Sequence, residues 1–267
     1  MAISYAYQLL SSFHSVNSII LYIHPAVKIK HWMKEVFMTE KKIKCIIFDC
    51  EGTLVDSERL CCEALVNVLN QLGAHLTFAQ VSNHFEGGKI ADILFQALEH
   101  TNINADLDLL ENLYRDKVNE LFEQYLSPMD GAIELLEYLR QQGIEYCVTS
   151  NAPKEKISSI LQRSGLLPLF EGRIFSAFDA NSWKPEPDLI RYCAMNMGFL
   201  LQECIYVDDS AKGVEAGINA EVPTVQLAPL NPQGFSQAPN VVVIDTLLEL
   251  KPWLNAHCWP SNECVYD

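Results

Sequence analysis

Asp49 closes the apolar run KCIIF and is followed by Glu51, Gly52 and Thr53, which sets two carboxyl groups and a hydroxyl around one tight turn. Further along, Ser150 and Asn151 close YCVT, Lys184 stands in SWKPEPD, and Asp208-Asp209 closes CIYV. A carboxylate can attack as a nucleophile, and an acidic pair can hold a hard divalent cation through oxygen. A hydroxyl with backbone N–H groups cradles an oxyanion, and a lysine neutralises it. Together these are the parts that transfer of a phosphoryl group requires. Each taken singly has a blander reading: a turn aspartate, a helix N-terminal acidic pair, a capping serine, a solvated loop lysine. Their shared placement, just past an apolar run or just ahead of a helix, favours chemistry.

The elements around these residues must bring them together. Apolar runs predict strands at Lys44–Phe48, Tyr146–Thr149, Arg173–Ser176, Cys204–Val207, Thr224–Leu227 and Val241–Ile244. Between the later strands, helical spacing covers Ala132–Arg140, Lys154–Leu161, Glu186–Met197, Lys212–Ile218 and Leu247–Leu254. Residues 58–127 show helical spacing only. They begin with a face of Leu60, Ala64, Leu65, Val68, Leu69 and Leu72, then a capping box at Thr77 and Gln80. A Gly87-Gly88 loop, a helix through Ile90, Ile93, Leu94 and Leu98, and a long helix from Leu107 to Tyr125 follow. Strands alternating with helices predict an α/β fold, a doubly wound parallel sheet with a small helical domain inserted after the first strand. In such a sheet ligands sit beyond the carboxyl ends of the strands, where Asp49, Ser150 and Asp208 fall. The expected organisation is a peripheral N-terminal extension at 1–37, a Rossmann-like core at 38–57 and 128–255, the helical insert at 58–127 and a C-terminal tail at 256–267.

Four segments, in this order, resemble the motifs of the haloacid dehalogenase superfamily. IIFDCEGTLVDSE is similar to its first motif, DxDGTLxDS; CVTSN is similar to the second, WKPEPD to the third and YVDDSAKGVEAGINA to the fourth. The resemblance runs from Lys41 to Pro229. It is nearest in character to the sugar-phosphate members, of the β-phosphoglucomutase and 6-phosphogluconate phosphatase type, whose small helical cap follows the first motif as residues 58–127 do here. It implies a magnesium-dependent phosphatase acting on a small phosphorylated metabolite, a sugar or sugar-acid phosphate, through an aspartyl-phosphate. By the same resemblance Asp49 is nucleophile and metal ligand, and the backbone carbonyl of Glu51 is a ligand as well. Asp208 and Asp209 complete the magnesium site, Ser150 and the Asn151 amide hold the phosphoryl group, Lys184 neutralises it, and Thr53 orients the site. Lys89, after Gly87-Gly88, falls in a loop from which the family often reads its substrate.

One position departs from the pattern: the family has Asp, as general acid, where Glu51 stands. The extra methylene displaces the carboxyl by on the order of 1 Å, a shift that can cost about a hundredfold in rate. A carboxyl is still present, so acid catalysis remains open to it. The alternatives are a phosphomutase of the same family, or a binding or regulatory member weakened at Glu51. A phosphonatase fits less well, because that branch lacks a carboxyl at this position, and a dehalogenase less well still, because the DGT-type turn accompanies phosphoryl transfer. A signalling receiver combines similar residues, but there the acidic pair precedes the phosphorylated Asp, and here it follows.

A net charge of −15 argues against nucleic acid or an anionic membrane as partner, and leaves room for a locally cationic pocket. Nine cysteines, with no CxxC pair, read as reduced, buried thiols of a cytoplasmic protein, Cys50 being a space-filling one. Within 1–37 the apolar run Ile19 to Ile23 is broken by His24-Pro25, and no Lys or Arg precedes Lys28, which fits neither a signal peptide nor a membrane span. Trp183 reads as a packing residue, and His75, His84 and His100 lack metal-ligand spacing. The small insert permits a monomer or a weak homodimer.

Overall fold

The six apolar runs form six strands of one sheet. The computed structural model describes residues 43–85, 89–101, 103, 105–228, 230–231 and 234–258. The predicted N-terminal extension, the Gly87-Gly88 loop and most of the tail lie outside the described residues. The strands are Cys45–Asp49 (β1), Glu145–Ser150 (β2), Ile174–Ser176 (β3), Cys204–Asp208 (β4), Thr224–Leu227 (β5) and Val241–Ile244 (β6). They lie in the order β3-β2-β1-β4-β5-β6, every neighbouring pair parallel. Every residue of β1 and β4 is buried, because central parallel strands are covered on both faces.

Ser57–Gln71 (α1), Phe78–Ser82 (α2), Ile90–Thr101 (α3) and Leu107–Tyr125 (α4) lie between β1 and Ala132–Gln142 (α5), with no strand among the described residues of that stretch. The chain continues through Lys154–Arg163 (α6), Ala177–Ala180 (α7), Asp188–Met197 (α8), Ala211–Asn219 (α9) and Leu250–Cys258 (α10). The capping box predicted at Thr77 and Gln80 starts α2. Two departures have local causes. α8 starts at Asp188 and not Glu186, since a residue before proline avoids the α region and Pro187 follows Glu186. α7 is a single turn capped by Ser176, too short to show a period. In the insert, Leu65, Val68 and Leu69 of α1 and Leu110 and Tyr114 of α4 are buried, whereas Leu72 and Tyr125, at the helix ends, are exposed. A cavity of about 240 Å³ among α1, α2 and α3 is lined by Leu65, Leu69, Val81, Phe85 and Ile93, and by none of the carboxylates described below.

Candidate active site

Strand register puts the chemistry on one rim. β1 pairs with β2 at Asp49 and Thr149, and with β4 at Phe48 and Val207, so Asp208 follows level with Asp49. Ser150 ends β2 one residue further on. Parallel strands joined by helical crossovers all point their carboxyl ends the same way, which is why residues so distant in sequence converge.

Lys184 reaches this rim from the segment between α7 and α8. Asn151 holds that segment: its Oδ1 accepts from the Lys184 backbone N at 2.9 Å, and its Nδ2 donates to the Lys184 carbonyl at 3.5 Å. The Lys184 ammonium is ion-paired with Asp49 and donates to Asp208 Oδ2 at 2.8 Å. The Tyr206 hydroxyl donates to the same Oδ2, and its ring centre lies 5.5 Å from the ammonium. The other Asp208 oxygen accepts from the Ser210 amide at 2.8 Å and from Ser210 Oγ at 2.7 Å. Ser210 also caps α9 by accepting from the Gly213 amide at 3.0 Å. Thr53 Oγ1 donates to Asp209 Oδ1 at 2.8 Å. Asp49, Asp208 and Asp209 each present a carboxylate oxygen within 4.8 Å of the others.

Two glycines leave room for those carboxylates. A Cβ on Gly52 would lie 2.4 Å from Asp209 Oδ2, and Gly52 has φ +87°, a left-handed turn that other residues resist. A Cβ on Gly213 would lie 1.9 Å from Asp208 Oδ2.

Asp49, Lys184, Asp208 and Asp209 are all buried. Burial pushes the Asp49 carboxyl well above the usual carboxylate range, with Lys184 opposing and Asp208 and Asp209 adding to it. Asp209 is raised in the same way, by burial first and then by Glu58 and Asp208. Burial works against the Lys184 charge, but Asp208 and Asp49 outweigh it and hold the ammonium above the ordinary lysine value. Lys184 therefore keeps its ammonium, whose charge opposes the protonation of Asp49 that burial favours.

The structure brings together Asp49, Thr53, Lys184, Asp208 and Asp209, with Asn151 as the brace of Lys184. Ser150 is buried at the same strand end, its Oγ accepting from the Ala152 amide at 3.1 Å. Glu51 is partly exposed, and its carboxylate pairs with Lys156 of α6 at 2.9 Å. Lys89 is exposed at the start of α3 and shares no hydrogen bond with the carboxylates among the described residues. Trp183, expected to pack, is exposed and stands edge-on to Phe178, also exposed, at 5.3 Å. Cys50 is fully buried and its thiol is raised by burial, as a space-filling residue should be.

Three residues of the rim escape a reading of the sequence. Tyr206 reads as one more apolar strand position. Glu58, in the first turn of α1, interacts with Asp209: burial raises its carboxyl to about 8, with Asp209 opposing and the charge of Asp49 adding. Lys156 is the partner of Glu51. A lysine in the first turn of a helix faces the positive end of the helix dipole, and that mismatch was the available signal.

The donor set is hard oxygen, negatively charged and convergent, which suits a hard divalent cation held by Asp49, Asp208 and Asp209. Among the described residues no helix is long and apolar enough to cross a membrane, and Cys45, Cys50, Cys61, Cys62, Cys147, Cys193 and Cys204 are free thiols. The family model described as haloacid dehalogenase-like hydrolase matches residues 46–227. A 6-phosphogluconate phosphatase of Escherichia coli (strain K12) is 36% identical over 180 residues, 67% of this chain and 80% of the relative. A phosphorylated carbohydrates phosphatase of Thermotoga maritima is 23% identical over 180 residues, 67% of this chain and 82% of the relative. A crystal structure of a hydrolase of the same family from Deinococcus radiodurans, with bound phosphate and sodium, superposes with a TM-score of 0.70 at 24% identity, covering 81% of this chain and 97% of that one. With its matched region taking in Asp49, Lys184 and the Asp208-Asp209 pair, the chain belongs to the haloacid dehalogenase-like hydrolase family.

Proposed function

We propose that this enzyme is a magnesium-dependent phosphatase that hydrolyses a small sugar or sugar-acid phosphate through a phosphorylated Asp49. The observation that carries this reading is the buried constellation in which Lys184 joins Asp49 to Asp208 while Asp209 completes the carboxylate cluster. Magnesium, when bound by Asp49, Asp208 and Asp209, supplies positive charge that orients the phosphoryl oxygens and offsets their charge. Asp49 attacks phosphorus through its free carboxylate oxygen, and the ester oxygen departs with a proton from Glu51. Water, deprotonated by Glu51, then releases phosphate from Asp49. The Lys184 charge favours the ionised form of the nucleophile against the burial that opposes it, and the ammonium is presented to the phosphoryl group. Ser150 Oγ and the Asn151 amide lie at the β2 end, where a phosphoryl oxygen on Asp49 can be received. Residues 58–127 act as a cap over this rim, with Lys89 as a candidate substrate contact. The relatives that act on 6-phosphogluconate and on phosphorylated carbohydrates support the substrate class.

The test is phosphate release from a panel of sugar and sugar-acid phosphates, with and without magnesium, for the natural protein, Asp49→Asn and Glu51→Asp. Magnesium-dependent release that Asp49→Asn abolishes is the expected result. Isomerisation of the sugar phosphate that needs a bisphosphate primer, without phosphate release, would instead indicate a mutase. Turnover by Glu51→Asp alone would make the natural protein a binding member.

A further inference from the structure

The side chain of Glu51 has a single partner among the described residues, and it is not part of the carboxylate cluster. Lys156 Nζ donates to Glu51 Oε1 at 2.9 Å, joining the first turn of α6 to the loop after β1. The Glu51 backbone is already fixed, since it forms an isolated bridge with Val55, which in turn bridges Pro128. What remains free is the long side chain. Relative to Asp it carries one more carbon–carbon bond, about 1.5 Å of reach, and one more rotatable torsion to order. A carboxylate left to sample several rotamers on a partly exposed rim spends only a fraction of its time where a leaving oxygen can be met. The lysine sits where a cation opposes the dipole of a helix N-terminus. Glu51 outweighs this and holds the Lys156 ammonium above its ordinary value. A lysine so placed is explained by the carboxylate it meets.

We infer that Lys156 is the positioning residue of the acid–base step, selecting one placement of the overlong Glu51 carboxylate. The inference rests on the phosphatase reading and adds a residue to it. Lys156 acts through Glu51 and transfers no proton itself. A shorter carboxylate at position 51 would fall short of Lys156, so the role belongs to the Glu and disappears with it. The half-exposed setting of the pair, 53% for the lysine side chain and 27% for the carboxylate, keeps the ion pair weak.

The experiment is a double-mutant cycle on kcat and KM in saturating magnesium, with the natural protein, Lys156→Met, Glu51→Asp and the double variant, plus Lys156→Arg. Lys156→Met is expected to lower kcat about tenfold, a part of the roughly hundredfold or more that acid–base catalysis contributes, with KM within twofold. Lys156→Arg restores most of the loss. In the Glu51→Asp background, Lys156→Met changes kcat less than twofold, so the losses do not add. An equal loss in both backgrounds, a kcat unchanged by Lys156→Met, or a rise confined to KM overturns the inference while leaving the phosphatase reading intact; the last would make Lys156 a substrate contact. Absence of magnesium-dependent turnover in all five proteins would overturn the phosphatase reading, and the inference with it, since no acid step would remain to position.

Discussion

Replacing Gly213 with alanine tests whether Asp208 is held where the chemistry needs it. Gly213 lies in the first turn of α9, where alanine is ordinarily the better helix former by about 0.5–1 kcal/mol. Here the added Cβ would stand 1.9 Å from Asp208 Oδ2 and 2.2 Å from Oδ1, against a floor of 3.0 Å for real contacts. The carboxylate has to withdraw by about 1.1 Å to reach even that floor. It cannot do so freely, because it is fully buried and bonded to Lys184, Tyr206 and Ser210. Breaking a buried ion pair costs about 3–5 kcal/mol when a partner is lost outright. A displaced partner costs less, and the helix gain offsets part of it, so the expected net loss is about 2 kcal/mol. For a protein of this size that is a fall of roughly 4–8 °C in melting temperature. Activity suffers more, since a 1 Å misplacement in a catalytic cluster can cost about a hundredfold. The assay is phosphate release across a magnesium titration, beside a thermal melt followed by circular dichroism. An alanine variant that melts higher and turns over at the natural rate would show that Asp208 has slack, and the account of a rigid, fully bonded carboxylate would be wrong.

Asn151→Ala removes the clamp on the Lys184 backbone while touching neither the ammonium nor the carboxylates. Turnover should fall by about tenfold or more through misplacement, and Asn151→Asp, which keeps one acceptor, should recover part of it in steady-state kinetics. In the metal-free protein, Glu58 has a folded value near 8 against an ordinary 4.5. The folded state then binds more protons than the unfolded state between those values, and stability falls as pH rises through that window. A melt at pH 8 should therefore lie below one at pH 6, and Glu58→Gln or added magnesium should narrow the gap; a gap that neither narrows would remove Glu58 as its source.

The strands and their chemistry were legible because both leave local marks. An apolar run such as CIIFD reads as a buried strand wherever it occurs, and a charged residue at its end is conspicuous. The order of the strands left no such mark: nothing in VVVI says that β6 is an edge, or in CIIFD that β1 is central. Convergence of Asp49, Ser150, Lys184 and Asp208 followed from the fold class and not from their spacing. Glu58 and Lys156 were hidden for opposite reasons. An acidic residue in the first turn of a helix is electrostatically favoured, so Glu58 raises no question until the structure turns it toward Asp209. Lys156 does raise one, but between Glu155 and the apolar face of α6 it passes for a solvated charge. Glu51 was visible as a departure, yet its consequence lay in a partner 105 residues away. Trp183 shows the reverse error, for an aromatic beside a catalytic motif invites burial, and only the path of the loop leaves it outside.

The charges on the rim set an order of events. Asp49 and Asp208 hold the buried Lys184 ammonium between them, Asp209 and Glu58 add further carboxyls to the rim, and burial with mutual repulsion raises Asp49, Asp209 and Glu58 toward the protonated state. Such a site repels a phosphate ester, which brings more negative charge to the same place. A divalent cation relieves the repulsion, displaces the protons, and creates the positive field that a phosphoryl group requires. The cation should therefore bind first and strengthen the binding of the anion. Linkage makes the effect reciprocal, so the factor by which magnesium tightens inorganic phosphate must equal the factor by which phosphate tightens magnesium. Calorimetric titrations of each in the absence and presence of the other measure both factors. Because the Lys184 ammonium is already paired with Asp49 and Asp208, the factor should be at least about tenfold, a coupling of ~1.4 kcal/mol. Phosphate that binds equally well without magnesium would mean that Lys184 and the backbone donors at the β2 end suffice, and that the carboxylate cluster serves the nucleophile and not the cation.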